Sequence, residues 1–344
     1  EAASTFGALA LTGANVAVTE NAATDLAAST VSGTLGITSA GAVTDSGTLA
    51  ITGATTISAS GQDITLDEAA STFGTLALTG SNVAVTENAA MDLGASTIGG
   101  TANFNSTSNV ITDSGTLAIT GATTINAGTA DITLDQAAST FGALALTGAN
   151  VAVTENAATD LAASTVSGTL GVTSTGAVTD SGTLAITGGT TISASGQDIT
   201  LDEAASTFGT LALTGANVAV TENAATDLGA STVSGTFGIT SGGAITDSGT
   251  QTITGAATFT NTAGTNDAIT LDDASNAFSG TVTFSTDSGS AVTVVDTTAL
   301  DLLALSAASL SVTAGGAVTD SGTLAVSGAT TISASGQDIT LDEA

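Results

Sequence analysis

Carboxylates are the only side chains in this chain that could hold a cation or exchange a proton near neutral pH. The 344 residues include 31 Asp and Glu and no Lys, Arg, His, Cys or Tyr. General acid–base and nucleophilic catalysis usually draw on those absent residues, or on a Ser that a His partner activates. Two carboxylates alone could cleave a glycosidic bond, but they would have to meet at one cleft. Here the acids recur along the whole chain, and aromatic residues, which stack on sugars, make up only 3% of it. The expectation is therefore a protein that is not an enzyme, with a polysaccharide-cleaving β-helix as a lesser alternative.

The second chemistry open to carboxylates is the binding of a hard cation, and oxygen ligands select Ca²⁺. The candidates are Glu20, Asp45, Asp67, Glu68, Glu87, Asp113 and Asp135. The G-G-x-G-x-D nonapeptide of calcium-binding β-rolls is absent. The simpler reading of Asp45, in Thr44-Asp45-Ser46-Gly47, is a carboxylate that accepts backbone N–H groups of its own turn. Asp63 and Asp67 alternate with Ile64 and Leu66 and should face solvent. Asn15, with its counterparts Asn82, Asn150 and Asn217, reads as a turn residue. No cofactor other than Ca²⁺ is suggested.

The spacing of these acids points to the elements that must carry them. An aliphatic residue, one spacer and an acid return as Val18-Thr19-Glu20, Val43-Thr44-Asp45, Leu66-Asp67-Glu68 and Val85-Thr86-Glu87. The trio occurs fifteen times, and Gln136 alone interrupts its acid positions. Its mean spacing of about 23 residues is the length of a structural unit in a coiled, stacked chain. A larger period surrounds it. Phe6, Phe73, Phe141, Phe208 and Phe278 follow one another at nearly equal steps, each holding three trios.

Between the trios lie short segments with period-2 alternation, such as Leu9-Ala10-Leu11, Val16-Ala17-Val18 and Leu49-Ala50-Ile51, separated by Gly, Asn, Ser or Asp. This is the signature of strands and turns, and no helical period persists. The reading is an all-β parallel β-helix, a β-solenoid of about 15 rungs of ~23 residues, three to each large repeat. Its core would be a column of aliphatics and alanines with one Phe every third rung. Glu20, Asp45 and Glu68 would then stack at one corner. Residues 1–344 form a single array with large repeats at about 1–67, 68–135, 136–202, 203–272 and 273–342. A string of immunoglobulin-like sandwiches competes, but the large repeat is short for one, and Trp, Tyr and Cys are absent from the chain.

The stretch from Gln251 to Ala314 drifts furthest, adding Phe259 and Phe284 and lengthening Ser285 to Ala291. Such insertions usually map to surface turns. Glu1-Ala2, Glu68-Ala69 and Glu343-Ala344 share one phase, which suggests a window cut from a longer array.

Composition removes several classes of function. A formal charge of −31 with no cationic side chain leaves nothing to neutralise phosphate, so nucleic acid is not an expected partner. No long apolar run offers a membrane-spanning helix. The hydrophobic fraction of 42% and the strict placement of aliphatics argue against disorder.

Asp63-Ile64-Thr65-Leu66-Asp67, Val43-Thr44-Asp45-Ser46-Gly47-Thr48-Leu49 and the Leu-x-Ile-Thr-Gly segments carry a resemblance. They resemble the repeats of large secreted bacterial adhesins of the filamentous-haemagglutinin-like type, over the whole chain. The resemblance implies a right-handed helix, export from a Gram-negative-type cell to its surface, and a role as an extracellular fibre or stalk. Expected partners are neighbouring copies or continuing repeats of the same protein, and a host or neighbouring-cell surface. A self-assembling sheath or surface-layer filament is the alternative. An ice-binding solenoid is a lesser one, because Thr sits mostly at strand ends and not in one clean array.

Overall fold

A computed structural model describes residues 4–262, 266–286 and 289–342. Glu1, Ala2, Glu343 and Ala344, whose shared phase the sequence singled out, lie outside these residues. Two compact units divide the chain, residues 1–172 and 173–344. Among the described residues every regular element is a short strand, and no helix is long and apolar enough to cross a membrane. Alternating β-branched and aliphatic residues, with no Pro to interrupt a ladder, suit each segment to a pleated surface buried on one side.

Each unit winds as a right-handed parallel β-solenoid. In the first unit Ala17 pairs with Gly36, Gly36 with Thr56, and Thr56 with Ala77. The same ladder continues from Thr75 to Asp92, Thr112, Thr133 and Ala152. Two large repeats, from Ala17 to Ala152, thus occupy seven turns. The rung is shorter than the spacing of the trio implies, at about 20 residues per turn, still within the range of solenoid repeats. A large repeat accordingly makes about three and a half turns and not three.

The half-turn has a local cause. Thr75–Gly80 is long enough to carry two strands of the next turn, Met91–Leu93 over its first half and Ser96–Ile98 over its second. Leu144–Gly148 does the same for Thr159–Leu161 and Ser164–Val166. In the second unit Thr210–Gly215 carries Thr226–Leu228 and Ser231–Val233. The turn built on each long strand is the shortest.

As a result, the recurring trio is not one column. Val18 pairs with Ile37, whereas Val43 pairs with Ile64 and Ile64 with Val83. Glu20 stacks on Ser39, and Asp45 on Leu26. The acid corner expected from the sequence does not form, because the three trios of a repeat occupy different places around the turn.

Inward positions are aliphatic, as the alternation predicts: Leu26, Val31, Val43, Leu49, Ile64 and Leu66 are fully buried. The phenylalanines divide. Phe73, Phe141 and Phe208 are buried at a corner, and Phe6 is 49% exposed. In the drifted stretch Phe259 stacks on Phe284 at 5.7 Å between ring centres, and Phe237 and Phe278 pack edge-on to Phe259 at 5.8 and 6.0 Å. The extra residues of this stretch enter two successive turns. Ile245 pairs with Ile269, and Ile269 with Val292. Both steps are longer than their equivalents earlier in the unit, Val178 to Ile199 and Ile199 to Val218. Residues 263–265 and 287–288 of these insertions are outside the described residues.

One corner requires glycine. Gly33, Gly53 and Gly74 lie over one another, and a Cβ on Gly53 or Gly74 would meet the carbonyl oxygen of the glycine below at 2.5 Å. Gly100, Gly121 and Gly142 repeat the arrangement. The backbone there runs too close to its neighbour for any side chain.

Candidate functional site

Three environments hold the acids that the sequence offers as ligands or turn acceptors. The first holds Glu20, Glu87, Glu155 and Glu222, at the inward ends of strands and at most 2% exposed. Each Oε1 accepts the backbone N–H of the corner phenylalanine fourteen residues earlier: Phe6 at 2.8 Å, Phe73 at 2.6 Å, Phe141 at 2.7 Å and Phe208 at 2.7 Å. The Oε2 of Glu20 and of Glu87 is buried without a partner, while that of Glu222 accepts the Thr226 hydroxyl at 2.8 Å. Burial raises the carboxyl of Glu87 to about 7 and that of Glu222 to about 6, against the smaller opposing pull of the phenylalanine N–H. Glu155 is raised for the same reason.

The second environment holds Asp45, Asp113 and Asp180, buried at another corner. Asp45 Oδ1 accepts the N–H of Asp67 at 2.9 Å and its Oδ2 that of Glu68 at 3.4 Å. Asp113 holds Asp135 and Gln136 in the same way, and Asp180 holds Asp202 and Glu203. Backbone N–H groups are indeed the partners, as the sequence suggests, but they belong to the next turn. Burial pushes all three carboxyls up, offset in part by the N–H groups they accept.

The third environment is open solvent, where Asp67, Glu68, Asp135 and Asp63 stand. Asp63 nevertheless accepts the N–H of Asn82 at 3.0 Å and its side-chain amide at 2.9 Å. Asn82 Oδ1 in turn accepts the N–H and hydroxyl of Thr101, at 3.0 and 3.1 Å. Asp131, Asn150 and Thr169 form a second such chain, and Asp198, Asn217 and Thr236 a third. Asn15 bonds Thr34 in the same manner. The asparagines are more than turn residues, since their side chains bridge successive turns.

Asp92, which sequence reasoning passed over, also ties turns together. Its Oδ2 accepts the Thr75 hydroxyl from the turn below at 2.7 Å and the Ser114 hydroxyl from the turn above at 2.9 Å. The glutamate–phenylalanine link was missed as well. Its trace in the sequence is the constant separation of Phe6 from Glu20, Phe73 from Glu87, Phe141 from Glu155 and Phe208 from Glu222.

Among the described residues no three acids converge so that they could hold a metal ion. Of the seven calcium candidates, Glu20 and Glu87 face inward, Asp45 and Asp113 are occupied by backbone N–H groups, and Asp67, Glu68 and Asp135 stand in water. Glu20, Glu87, Asp45 and Asp113 accept backbone hydrogen bonds from neighbouring turns.

Fold and hydrogen-bond ladder together define a repeat protein of the β-solenoid class. The chain belongs to a family described as repeats of unknown function (DUF5649), whose model matches residues 13–79, 80–147, 148–214, 215–285 and 289–344. The first four of these repeats begin at Gly13, Gly80, Gly148 and Gly215, where the two-turn strand or its counterpart ends. Neither a curated protein nor a solved structure matches the chain.

Proposed function

We propose that this chain is a structural segment of an extracellular fibre or stalk of the kind carried by large bacterial surface adhesins, with no catalytic role. One observation carries the reading: the polar side chains set into the repeat bind adjacent turns of the same chain, repeat after repeat. Surface location is supported by the likeness of the Asp-Ile-Thr-Leu-Asp and Val-Thr-Asp-Ser-Gly segments to secreted adhesin repeats. Partners in this reading are continuing repeats and the surface of another cell. Calcium would act as a counter-ion to exposed Asp67, Glu68 and Asp135, which isothermal titration would register as weak, salt-sensitive binding.

The test is deletion of one repeat at a time. Removing residues 69–136 joins Glu68 to Ala137, which has the phase of Ala69, and the fold and any surface adhesion should persist. Removing residues 69–80 should unfold the turns beyond the join, because the long strand that seats the next turn is lost. If one particular whole-repeat deletion abolishes adhesion while the fold remains, that repeat carries a site and the stalk reading is wrong.

A further inference from the structure

One corner of the second large repeat is built differently from its counterparts. The ordinary corner runs Ile37-Thr38-Ser39-Ala40-Gly41-Ala42-Val43, and it recurs from Val172 to Val178 and from Ile239 to Ile245. In it the hydroxyl oxygen of Ser39, Ser174 or Ser241 accepts the N–H two residues on, at 3.3, 3.3 and 3.2 Å. The second repeat has Phe104-Asn105-Ser106-Thr107-Ser108-Asn109-Val110-Ile111, which is longer by one residue and sets Asn105 in the place of Thr38.

This corner turns on the asparagine. Asn105 Oδ1 accepts the Thr107 N–H at 3.1 Å, closing an Asx turn. Thr107 and Ser108 take φ of 48° and 75°, a conformation uncommon outside glycine and rarer still for a β-branched residue. Side chains hold it in place. The Thr107 hydroxyl reaches the Glu87 carbonyl and Asn88 Oδ1 of the turn below, each at 3.1 Å. Ser106 Oγ donates to the Asn109 carbonyl, and Asn109 Nδ2 donates to the Ser106 carbonyl at 2.9 Å. Asn105 itself stands at an outward position, between Thr86 of the turn below and Asn126 of the turn above. Its Nδ2 has no partner among the described residues, whereas that of Asn82, Asn150 or Asn217 donates to an aspartate of the preceding turn.

Asn105-Ser106-Thr107 is also the one Asn-x-Ser/Thr triplet in the chain. None of the other fourteen asparagines has a hydroxyl residue two places on, although Ser and Thr abound. The triplet is the acceptor signal for an N-linked sugar, which belongs on a surface loop. We infer that Asn105 is an attachment site for an N-linked glycan. The reaction takes a transferase and a sugar whose anomeric carbon carries a phosphate leaving group, on a nucleotide or on a lipid pyrophosphate. Nδ2 forms a bond to that carbon as the carbon's bond to the phosphate oxygen breaks. The phosphate leaves with the electron pair, and one Nδ2 proton passes to a base of the transferase. The Thr107 N–H on Oδ1 polarises the amide and makes that proton easier to remove. The ladder neighbours Thr86 and Asn126 are neutral, which suits an anionic donor in a chain otherwise rich in acids. The inference goes beyond the stalk reading and is separate from it. A bare Asn105 leaves the stalk intact, and a failed deletion test leaves the sugar in place.

The test is mass spectrometry of the whole chain recovered from the cells that make it. Cleavage before aspartate releases residues 92–112, which hold Asn103, Asn105 and Asn109. Fragmentation should place a sugar on Asn105. A single hexose marks a nucleotide-sugar donor and a preassembled oligosaccharide a lipid-linked one, and either supports the site. The N105Q and T107A chains should lose the sugar while keeping the parent's circular dichroism. T107S should keep it in part, and N103Q and N109Q should keep it fully. An unmodified peptide 92–112 from the parent chain would overturn the inference. So would a sugar that persists in N105Q, which places it on another side chain, or one that persists undiminished in T107A.

Discussion

The buried glutamates set the behaviour of single residues. Glu87 is fully buried, and its carboxyl titrates at about 7 in the fold against 4.5 in the unfolded chain. A raised folded value means that the native state binds the proton more tightly. Stability is therefore fully present below about pH 4.5, declines as pH rises through the window to about 7, and levels off above it. Glu222, raised to about 6, adds to the decline over a narrower window. A tenfold change in proton affinity corresponds to about 1.4 kcal/mol, so Glu87 and Glu222 each contribute on the order of 1–3 kcal/mol across their ranges. Thermal melts between pH 5 and pH 8 should show the lower melting temperature at the alkaline end, to the extent of several degrees. Glu87→Gln keeps an acceptor for the Phe73 N–H and removes the charge, so its melts should depend less on pH than the parent's. Glu87→Ala strands that N–H in the interior and should cost about 1–3 kcal/mol at every pH.

At the scale of elements, the glycine corner decides how closely turns approach. Gly53→Ala or Gly121→Ala places a methyl group where a backbone carbonyl now sits, and should destabilise by about 1–3 kcal/mol in urea titrations. Thr56→Ala, on an outward face of the same turn, should change stability by under about 0.5 kcal/mol. The glycines also explain what the sequence could and could not reveal. Parallel strands, inward Leu49 and Ile64, and outward Asp63 and Asp67 were legible, because alternation alone places a residue on one face. The length of a turn was not. It depends on how corners stack and on one strand seating two others, and nothing within the aliphatic–spacer–acid trio encodes either. Similar trios at Val18, Val43 and Leu66 invited stacking, yet they occupy three places around the turn. The partners of Glu20 and Asp45 followed the same limit. Their acceptor role could be anticipated from chemistry, but which N–H they meet depends on the register.

For the molecule as a whole, charge is the governing quantity. Thirty-one acids and no cationic side chain mean that every long-range interaction between side-chain charges is repulsive. Raising ionic strength from about 10 mM to about 0.15 M shortens the screening length from about 30 to about 8 Å, which relieves repulsion between successive turns only in part. The melting temperature should rise with NaCl at pH 8, and less at pH 5, where part of the charge is already neutralised. Acid has an unusual effect for the same reason. A protein with bases becomes strongly positive at low pH and is driven apart, but this one approaches neutrality. It should stay folded at pH 3 by circular dichroism while losing solubility.

The long strand that seats two others carries a consequence for how the array can lengthen or shorten. Val16–Glu20 lies on one ladder, its copy Val83–Thr86 on the second, and the next copy, Val151–Glu155, on the first again. Copy number therefore has parity. Gain or loss of one large repeat by recombination leaves every turn correctly seated, but it moves each loop beyond the join onto the other ladder. Two repeats restore the original presentation. Variants differing by an even number of repeats should show a neighbour the same face, and variants differing by an odd number should not.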